Sequence, residues 1–333
     1  MKLSHLVIAC SLFVAACSPA TLVTKSGKSD PKLEIASPKN VILLIGDGMD
    51  DHQITIARNY LVGAQGRLTL DKLPHRSISQ ILTVADADPS QVLYVADSAN
   101  SATAMATGKI TSRGRIATTA GTDQDIATIV ELAGAAGLKT GVVSTASVTD
   151  ATPASFYAHV SARGCENPLM MEDALLYKRI KVDCSQDLKA NGGLGSISEQ
   201  LLNSQLDLAL GGGLKHFEPK SEGSDSSVLE LSNAAGFMVM TSVEQLTAAG
   251  MDKRWLGLFS PSTMPVRLRG EDARVAEKPK HGSNGLEKPK PMSCEEEPKF
   301  VGVPDLKLMT ERAISRLSHD NNKGFFLMIE SAS

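Results

Sequence analysis

VILLIGDGMDD, residues 41–51, joins five large apolar residues to a turn in which an aspartate stands between two glycines. An unbroken apolar run of this length is typical of a strand buried on both faces, as in a parallel sheet. Such a strand does not need the carboxylate of Asp47 at its end. Gly46 and Gly48 would let a metal, water or substrate approach the backbone closely, but an aspartate that caps the following helix is also common. Both interpretations of Asp47 are open on this stretch alone.

The fold class follows from the alternation of strand and helix signals along the rest of the chain. Apolar residues at helical spacing predict helices within 126–133 and 306–317. Strands are predicted at QVLYVA (91–96), TGVVST (140–145), LDLALGGG (206–213) and FFLMIE (325–330). This alternation predicts an α/β fold with a mostly parallel central sheet. Residues 260–299, in which EKPK occurs twice among prolines, glycines and charges, predict an irregular excursion.

The composition is that of a soluble globular protein. Of the 333 residues, 42% are hydrophobic and 21% are charged, which are ordinary shares. A formal net charge of −3 argues against a dedicated nucleic-acid binder, which would carry a basic face. The aromatic share of 4% disfavours a platform for base stacking. We therefore expect no nucleic acid as a dedicated partner.

The first residues predict export. Lys2 precedes the apolar stretch LVIACSLFVAA, which is too short to span a bilayer and predicts a signal peptide over residues 1–16. Its end, VAAC, resembles a bacterial lipoprotein cleavage box, which implies a lipid on Cys17; an ordinary cleaved signal is the alternative. Ser18 favours the outer membrane. A polar tether over residues 17–39 then predicts a periplasmic body that the lipid alone anchors.

Export makes disulfide bonds permissible, and the chain has five cysteines. Cys165 and Cys184 are close enough in sequence to close one loop, and such a bond would contribute about 3 kcal/mol. Cys10 belongs to the signal and Cys17 would carry the lipid. Cys294 is left over, and an odd cysteine in an exported protein needs an explanation.

Ser98, in the stretch DSANSATA, is a candidate nucleophile. It is predicted at the N-terminus of a helix, where free backbone N–H groups favour an anion or an alkoxide. The alternative is a helix N-cap, a common role for serine. The chain has no G-x-S-x-G nucleophile elbow, so a metal would have to activate Ser98 in place of a histidine.

Further polar residues stand where predicted strands end. Asp150 and Thr152 follow the strand at 140–145, Arg163 comes ten residues after Pro153, and Glu330 ends the last strand. A guanidinium matches two phosphate oxygens, although each residue alone could be a helix cap or a solvated charge. Ligands bind beyond the carboxyl ends of parallel strands. Together with Asp47 and Ser98, these residues predict a site for divalent metals and a phosphate at the ends of four strands.

The blocks NVILLIGDGM, VADSANSATAMATG, VSTASVTDATPASFYAHVSARGC, LALGGG and GFFLMIESAS resemble successive blocks of the bacterial alkaline phosphatase family. They occur in the family's order and cover residues 40–333, with the excursion as the least similar part. The resemblance implies a three-layer α/β/α sandwich and a site with two Zn²⁺ ions and one Mg²⁺ ion. It also implies a periplasmic hydrolase of phosphate monoesters, often a homodimer.

The same resemblance assigns roles by motif. Asp47 would bridge one zinc and the magnesium, and Ser98 would bind zinc and attack phosphorus to give a phosphoserine. Thr152 and Glu330 would bind the magnesium. The remaining assignments are Asp150 to a magnesium-bound water, Arg163 to two phosphate oxygens, and Cys165 with Cys184 to a family disulfide.

The chain departs from the family in its zinc ligands. The family's other zinc ligands, which are aspartates and histidines, would lie beyond Ser333, and none of the seven histidines here matches them. His159 is expected to face a helix. The resemblance therefore implies that residues 40–333 are the N-terminal portion of a longer domain and that this chain alone is nearly inactive. A cysteine beyond the end could then pair with Cys294, whose partner the sequence leaves open.

Two rival functions remain. One is a non-catalytic lipoprotein, derived from a phosphatase, that binds phosphate or a partner. The other is a phosphodiesterase or sulfatase of the same superfamily. The sulfatase signature C/S-x-P-x-R does not fit the residues Ala99-Asn100-Ser101 after Ser98.

Overall fold

The computed structural model of this chain describes residues 39–176 and 179–332. The predicted signal over 1–16, the lipid site at Cys17 and nearly all of the tether over 17–39 lie outside the described residues. Over the two described ranges, every helix is too short or too polar to cross a membrane.

The secondary structure of the described ranges alternates between strands and helices. The strands are β1 (Asn40–Gly46), β2 (Thr83–Val84), β3 (Val92–Leu93), β4 (Lys139–Ser147), β5 (Ala174–Leu176), β6 (Ile180–Val182), β7 (Leu208–Gly212), β8 (Phe237–Met240), β9 (Arg254–Leu258), β10 (Leu268–Gly270), β11 (Lys280–Gly282), β12 (Gly285–Glu287), β13 (Cys294–Glu296) and β14 (Phe325–Ser331). The α-helices are α1 (Asp51–Val62), α2 (Ser98–Thr107), α3 (Ile129–Ala135), α4 (Ala151–Ala154), α5 (Ile197–Asn203), α6 (Val228–Ala234), α7 (Val243–Ala248) and α8 (Leu306–Ser318).

Six of these strands form the central sheet, in the order β1-β14-β4-β7-β9-β8. Every neighbouring pair in it is parallel. The last strand of the sequence, β14, therefore lies between β1 and β4, near one edge. The predicted α/β fold with a mostly parallel sheet is confirmed.

Helices cover both faces of the sheet. On one face, α2, α3, α4 and α5 pack their apolar side chains against β4 and β14, around Phe156, Phe326 and Met328. On the other face, Met309, Ala313 and Leu317 of α8 pack against the opposite sides of the same strands. The arrangement is a three-layer sandwich, as the sequence predicted. Because both of its faces are covered, β14 has a continuous apolar sequence in which polar and apolar residues do not alternate.

One predicted strand is wrong. Residues 91–96 do not join the central sheet, and only Val92–Leu93 forms a short strand, β3, which pairs with β2. Tyr94 is 99% exposed, so this apolar stretch is not a core strand. The residues from Leu268 to Glu296, within the predicted excursion, form two short antiparallel pairs, β10 with β13 and β11 with β12.

Candidate active site

Three strand ends meet at one edge of the central sheet. Glu330 of β14 lies in register with Ile45 of β1 on one side and with Ser144 of β4 on the other. The backbone N–H of Asp47 then donates to the carbonyl of Ser331 at 3.1 Å. The residues after β1, at the end of β14 and after β4 are therefore neighbours. Only three of the four predicted strand ends take part, because Ser98 does not follow a strand of this sheet.

Neither Asp47 nor Ser98 is a helix N-cap; residues near them in sequence have that role. Asp50, and not Asp47, caps α1, because its carboxylate accepts from the backbone N–H groups of His52 and Gln53. Asp97 caps α2 in the same way, which leaves Ser98 as the first helical residue. The Ser98 hydroxyl donates to Asp47 Oδ2 at 3.1 Å. Both candidate side chains are thus available for chemistry and meet across 51 residues of sequence.

The N-terminus of α2 gives Ser98 an electropositive setting. This helix has ten residues, and the first backbone N–H groups of a helix have no partner within it. Ala99, Ala102 and Ala106 pack in the core, so the small side chains of SANSATA hold this helix close to the sheet. A phosphoryl group beside Ser98 would meet the positive end of the helix dipole.

Glu330 is the most enclosed carboxylate of the cluster, with 2% of its surface exposed. The hydroxyl of Ser144 donates to its Oε2. Burial raises the pKa of Glu330; hydrogen bonds from Ser144 and Thr152 oppose the shift, and the negative charges of Asp150 and Asp47 add to it. A carboxylate whose pKa is raised by neighbouring negative charges is stabilised in its ionised form by a cation.

Arg163 lies between two of the aspartates. Its Nη2 is 2.7 Å from Asp150 Oδ1 and its Nη1 is 3.5 Å from Asp97 Oδ2. The backbone N–H of Arg163 also donates to the carbonyl of Gly114 at 2.6 Å. The guanidinium, with 21% of its side chain exposed, is therefore held next to the residue that precedes Ser98.

A cavity of about 500 Å³ lies in front of these groups. Asp47, Asp97, Ser98 and Thr152 line its polar side. Its other wall is apolar and includes Met49, Ile81, Tyr94 and Met105. The cavity is large enough for a phosphate ester and places the Ser98 hydroxyl within it.

The oxygen ligands at this edge fit magnesium. Mg²⁺ prefers oxygen and keeps several waters, so one or two carboxylates are enough protein ligands. Asp47, Thr152 and Glu330 supply two carboxylates and one hydroxyl, and the negative charges that raise the pKa of Glu330 would be offset by a cation there.

Zinc fits this part of the chain poorly. Zn²⁺ sites are built mainly from histidine and cysteine, and over residues 39–176 and 179–332 no three His, Cys, Asp or Glu side chains are grouped to hold a metal. His159 binds Glu131 at 3.0 Å, as expected for a histidine facing a helix, and His216 binds Glu166 at 3.1 Å. The contacts of both histidines are therefore with glutamates outside the Ser98 cluster.

Two residues near the site, Asp97 and Glu166, were not identified from the sequence. Asp97 both caps α2 and contacts Arg163; its signal was the capping-box spacing of Asp97 with Asn100 directly around Ser98. Glu166 accepts a hydrogen bond from Thr149, the residue before Asp150. No local pattern marks Glu166, since the contact depends on the fold.

Cys165 and Cys184 form a disulfide in the structure, 19 residues apart in sequence. Both are fully buried. Since Cys165 is two residues after Arg163, the bond fixes the chain that carries the guanidinium. Cys294, in β13, is a free and exposed thiol.

Comparisons with known proteins agree with this geometry. The profile of the family described as "Alkaline phosphatase" matches residues 38–333. Streptomycin-6-phosphate phosphatase of Streptomyces griseus is 38% identical over 98% of this chain and 69% of its own length. Alkaline phosphatase of Escherichia coli (strain K12) is 40% identical over 89% of this chain and 60% of its own length.

Solved structures give the same result for the fold. Alkaline phosphatase from the Antarctic bacterium TAB5 matches 88% of this chain and 65% of its own, with a TM-score of 0.57 and 26% identity. A histidine-to-glutamate mutant of that enzyme, described with Mg bound in its M3 site, matches with a TM-score of 0.55. The chain thus spans about 60–70% of the length of these relatives.

Proposed function

This chain belongs to the alkaline phosphatase family, and we propose that it supplies the nucleophile and the phosphate-binding arginine of a phosphate monoester hydrolase. One observation carries the proposal. The Ser98 hydroxyl lies 3.1 Å from Asp47 Oδ2 at the N-terminus of α2, and Arg163 contacts Asp97, the residue before it. The nucleophile and a carboxylate oxygen therefore line one cavity, and the guanidinium of Arg163 contacts Asp97, which lines the same cavity.

In the proposed reaction, Ser98 Oγ gives up its proton and attacks the phosphorus atom, the P–O bond to the alcohol breaks, and the departing oxygen takes up a proton to leave as the alcohol. The Asp47 carboxylate orients the hydroxyl through the hydrogen bond it accepts. Arg163 binds two phosphate oxygens and offsets the charge on them. Water then hydrolyses the phosphoserine, which restores Ser98 and releases phosphate.

A magnesium ion would be held by Asp47, Thr152 and Glu330, with Asp150 orienting one of its waters. Bound there, it would add positive charge near the phosphate and keep the three carboxylates of the cluster ionised. The family resemblance further implies two zinc ions, for which the described ranges supply only Asp47 and Ser98. We therefore assign no step to zinc and expect the 333-residue chain alone to give little turnover.

Unaided hydrolysis of phosphate monoesters is so slow that enzymes accelerate it by up to ~10²¹-fold. The test uses the full natural protein supplied with zinc and magnesium, and p-nitrophenyl phosphate as substrate. We expect hydrolysis, a phosphorylated Ser98 after acid quenching, and loss of both in Ser98→Ala. Ser90→Ala, at an exposed loop serine, should retain both. Equal hydrolysis by Ser98→Ala would overturn the proposal, and steady turnover by the 333-residue chain would overturn the expectation for the fragment.

A non-catalytic phosphate-binding protein is the second candidate. It is favoured by the lack of a three-ligand metal group over the described ranges. Equilibrium dialysis with inorganic phosphate separates the two: phosphate binding that needs Arg163, without turnover by the full protein, supports this candidate instead.

The periplasmic location, the lipid on Cys17 and a homodimer belong to the same proposal and rest on the sequence and the family. Incorporation of labelled palmitate that is lost in Cys17→Ser would support the anchor. Sedimentation of the full protein measures the oligomeric state.

A further inference from the structure

A buried polar network includes residues close in sequence to Asp150 and Arg163. At its centre is Glu166, whose Oε2 accepts from the Thr149 hydroxyl at 2.7 Å. The same Oε2 is 3.1 Å from His216 Nε2. Asn167 Nδ2 in turn lies 2.9 Å from His216 Nδ1. Thr149 and His216 are 0% and 2% exposed, and Asn167 is 6% exposed, so water does not replace these bonds.

The hydrogen-bond pattern defines the protonation of His216. Asn167 Oδ1 accepts from the backbone N–H of Leu169 at 3.0 Å, which turns its amide NH₂ toward the ring. His216 Nδ1 must then be an acceptor, so the proton of the neutral ring is on Nε2, the nitrogen nearer to Glu166. Burial and the neighbouring Lys215 lower the pKa of His216 to about 4, in agreement with a neutral donor. Glu166 therefore accepts one hydrogen bond, from the Thr149 hydroxyl, and its Oε2 lies 3.1 Å from the neutral ring of His216.

This network joins the two chain segments that form the phosphate clamp. Thr149 immediately precedes Asp150, and Glu166 follows Arg163 by three residues. Asp150 and Arg163 meet at 2.7 Å across the same gap. We propose that Glu166 is a positioning residue, whose carboxylate fastens Thr149 to the segment of Arg163 and so holds Asp150 against the guanidinium. The proposal deepens the proposed function, since it assumes that Arg163 binds phosphate.

The surroundings of Glu166 determine the pH at which its carboxylate ionises. Burial raises its pKa to about 7, although the Thr149 hydrogen bond opposes the shift and 21% of the side chain keeps contact with solvent. Asp150 raises this pKa further, whereas Lys215 and Arg163 lower it. The buried Tyr157 hydroxyl is the other titratable group that feels its charge. Above neutral pH, the ionised carboxylate is a stronger acceptor for the Thr149 hydroxyl.

The backbone gives this network a firm base. The N–H groups of Ile197 and Ser198, at the start of α5, donate to the carbonyls of Cys165 and Glu166. The disulfide of Cys165 holds the other side. Loss of the Glu166 carboxylate would therefore release the Thr149–Asp150 turn and leave the segment of Arg163 in place.

The test measures inhibition by inorganic phosphate and the pH profile of the full protein loaded with zinc and magnesium. We expect Glu166→Gln to raise the inhibition constant of phosphate about tenfold, and Thr149→Val to give a similar but smaller rise, because a small displacement of a clamp has large effects. The inflection of kcat/KM near pH 7 should disappear in Glu166→Gln and weaken in Thr149→Val, because the second variant lacks the hydroxyl through which the carboxylate acts. Glu230→Gln, which removes a similar carboxylate from the cap of α6, is the control.

A second readout needs no turnover. In ¹⁵N-labelled protein, slow rotation of the Arg163 guanidinium reports its ion pair with Asp150. Faster rotation in Glu166→Gln and Thr149→Val, at unchanged rotation in Glu230→Gln, supports the positioning role. Unchanged rotation and unchanged phosphate inhibition in both variants would overturn it. If the wild-type protein neither hydrolyses nor binds phosphate, the proposed function fails, while the rotation of Arg163 still decides the role of Glu166.

Discussion

β1 and β14 are adjacent parallel strands with almost the same kind of sequence, VILLI and FFLMI, but they occupy different environments. Leu44 of β1 is 73% exposed, whereas its partner in register, Ile329 of β14, is 2% exposed. β14 pairs on both sides and has helices on both faces. β1 forms the edge of the sheet, and α1, which follows it, buries none of its residues. An apolar run therefore defines a strand but not what covers it.

The difference extends to the candidate site. Glu330 continues the buried strand and is enclosed, while Asp47 continues the exposed strand and is half-buried. On the side of β14 and β4, the Ser144 and Thr149 hydroxyls donate to Glu330 and Glu166. Asp150 accepts from Arg163 on the same side. We therefore expect a rigid half and a less constrained half of one site, and three experiments compare them.

The largest contrast is expected from one leucine in each strand. Leu327→Ala in β14, at a side chain with no exposure, should lower the free energy of unfolding by roughly 2–5 kcal/mol, since it leaves a cavity. Leu44→Ala in β1 should change it by less than about 0.5 kcal/mol. Urea unfolding followed by tryptophan fluorescence measures both. Similar losses in the two variants would mean that β1 is covered in solution.

The disulfide tests whether the rigid half depends on a covalent bond. Removing it in the double variant Cys165→Ala, Cys184→Ala should lower the free energy of unfolding by about 3 kcal/mol, because the unfolded chain regains the freedom of a closed loop. Cys294→Ala, at an exposed free thiol, is the control and should have no measurable effect. A double variant as stable as wild type would show that packing alone holds the segment of Arg163.

A smaller effect is expected from two histidine–carboxylate pairs, one in each region. His159 is 6% exposed, and its Nε2 and Nδ1 face Glu131 and the carbonyl of Ala117, so both nitrogens donate. Burial opposes the charged forms, but the hydrogen bonds with Glu131 and Ala117 raise the pKa of His159. Burial also opposes ionisation of Glu131, but the hydrogen bonds that it accepts from His159 and Thr128 lower its pKa to about 2. His52 and Asp50, beside α1, form the corresponding pair in water.

The directions of these two pKa shifts define the pH range in which the pair stabilises the fold. The raised pKa of His159 contributes stability below its ordinary value near 6.5, which is lost as the pH rises through the pKa in the fold. The lowered pKa of Glu131 contributes above about 4.5 and is lost as the pH falls toward 2. Wild type should therefore lose on the order of 1 kcal/mol more than His159→Gln between pH 6 and 9, after solvent screening. The free energy of unfolding of His52→Gln should change with pH as that of wild type does. If His159→Gln keeps the same pH dependence as wild type, the dependence does not come from His159.

Local sequence predicted the elements better than their surroundings. The runs at 41–45, 140–145, 206–213 and 325–330 are strands of the sheet, because a continuous apolar run has few other stable solutions in an α/β fold. The run at 91–96 has similar residues and fails, since no neighbouring strand accepts it and Val95 stays 65% exposed. Which strand lies at the edge is a property of the topology and leaves no mark in the run itself.

The candidate site shows the same division. Motif resemblance identified Asp47, Ser98, Asp150, Thr152, Arg163 and Glu330, whose roles remain predictions. The structure adds that Asp50 and Asp97 cap the helices, which the sequence left open for Asp47 and Ser98. Glu166 and His216 could not be predicted, because 50 residues of sequence separate two side chains that only the fold brings together.

The position of β14 also sets an order of events during synthesis. Asn40 and Phe325, which are hydrogen-bonded neighbours, are separated by 285 residues. At about 5–20 residues per second, the ribosome needs roughly 15–60 s to make the partner of β1 after β1 itself. β4, β7, β8 and β9 are complete long before that and can pair among themselves. Asp47 meets Glu330 only when the late strand enters between β1 and β4, so we expect the edge that carries the candidate site to be the last part of the described fold to assemble.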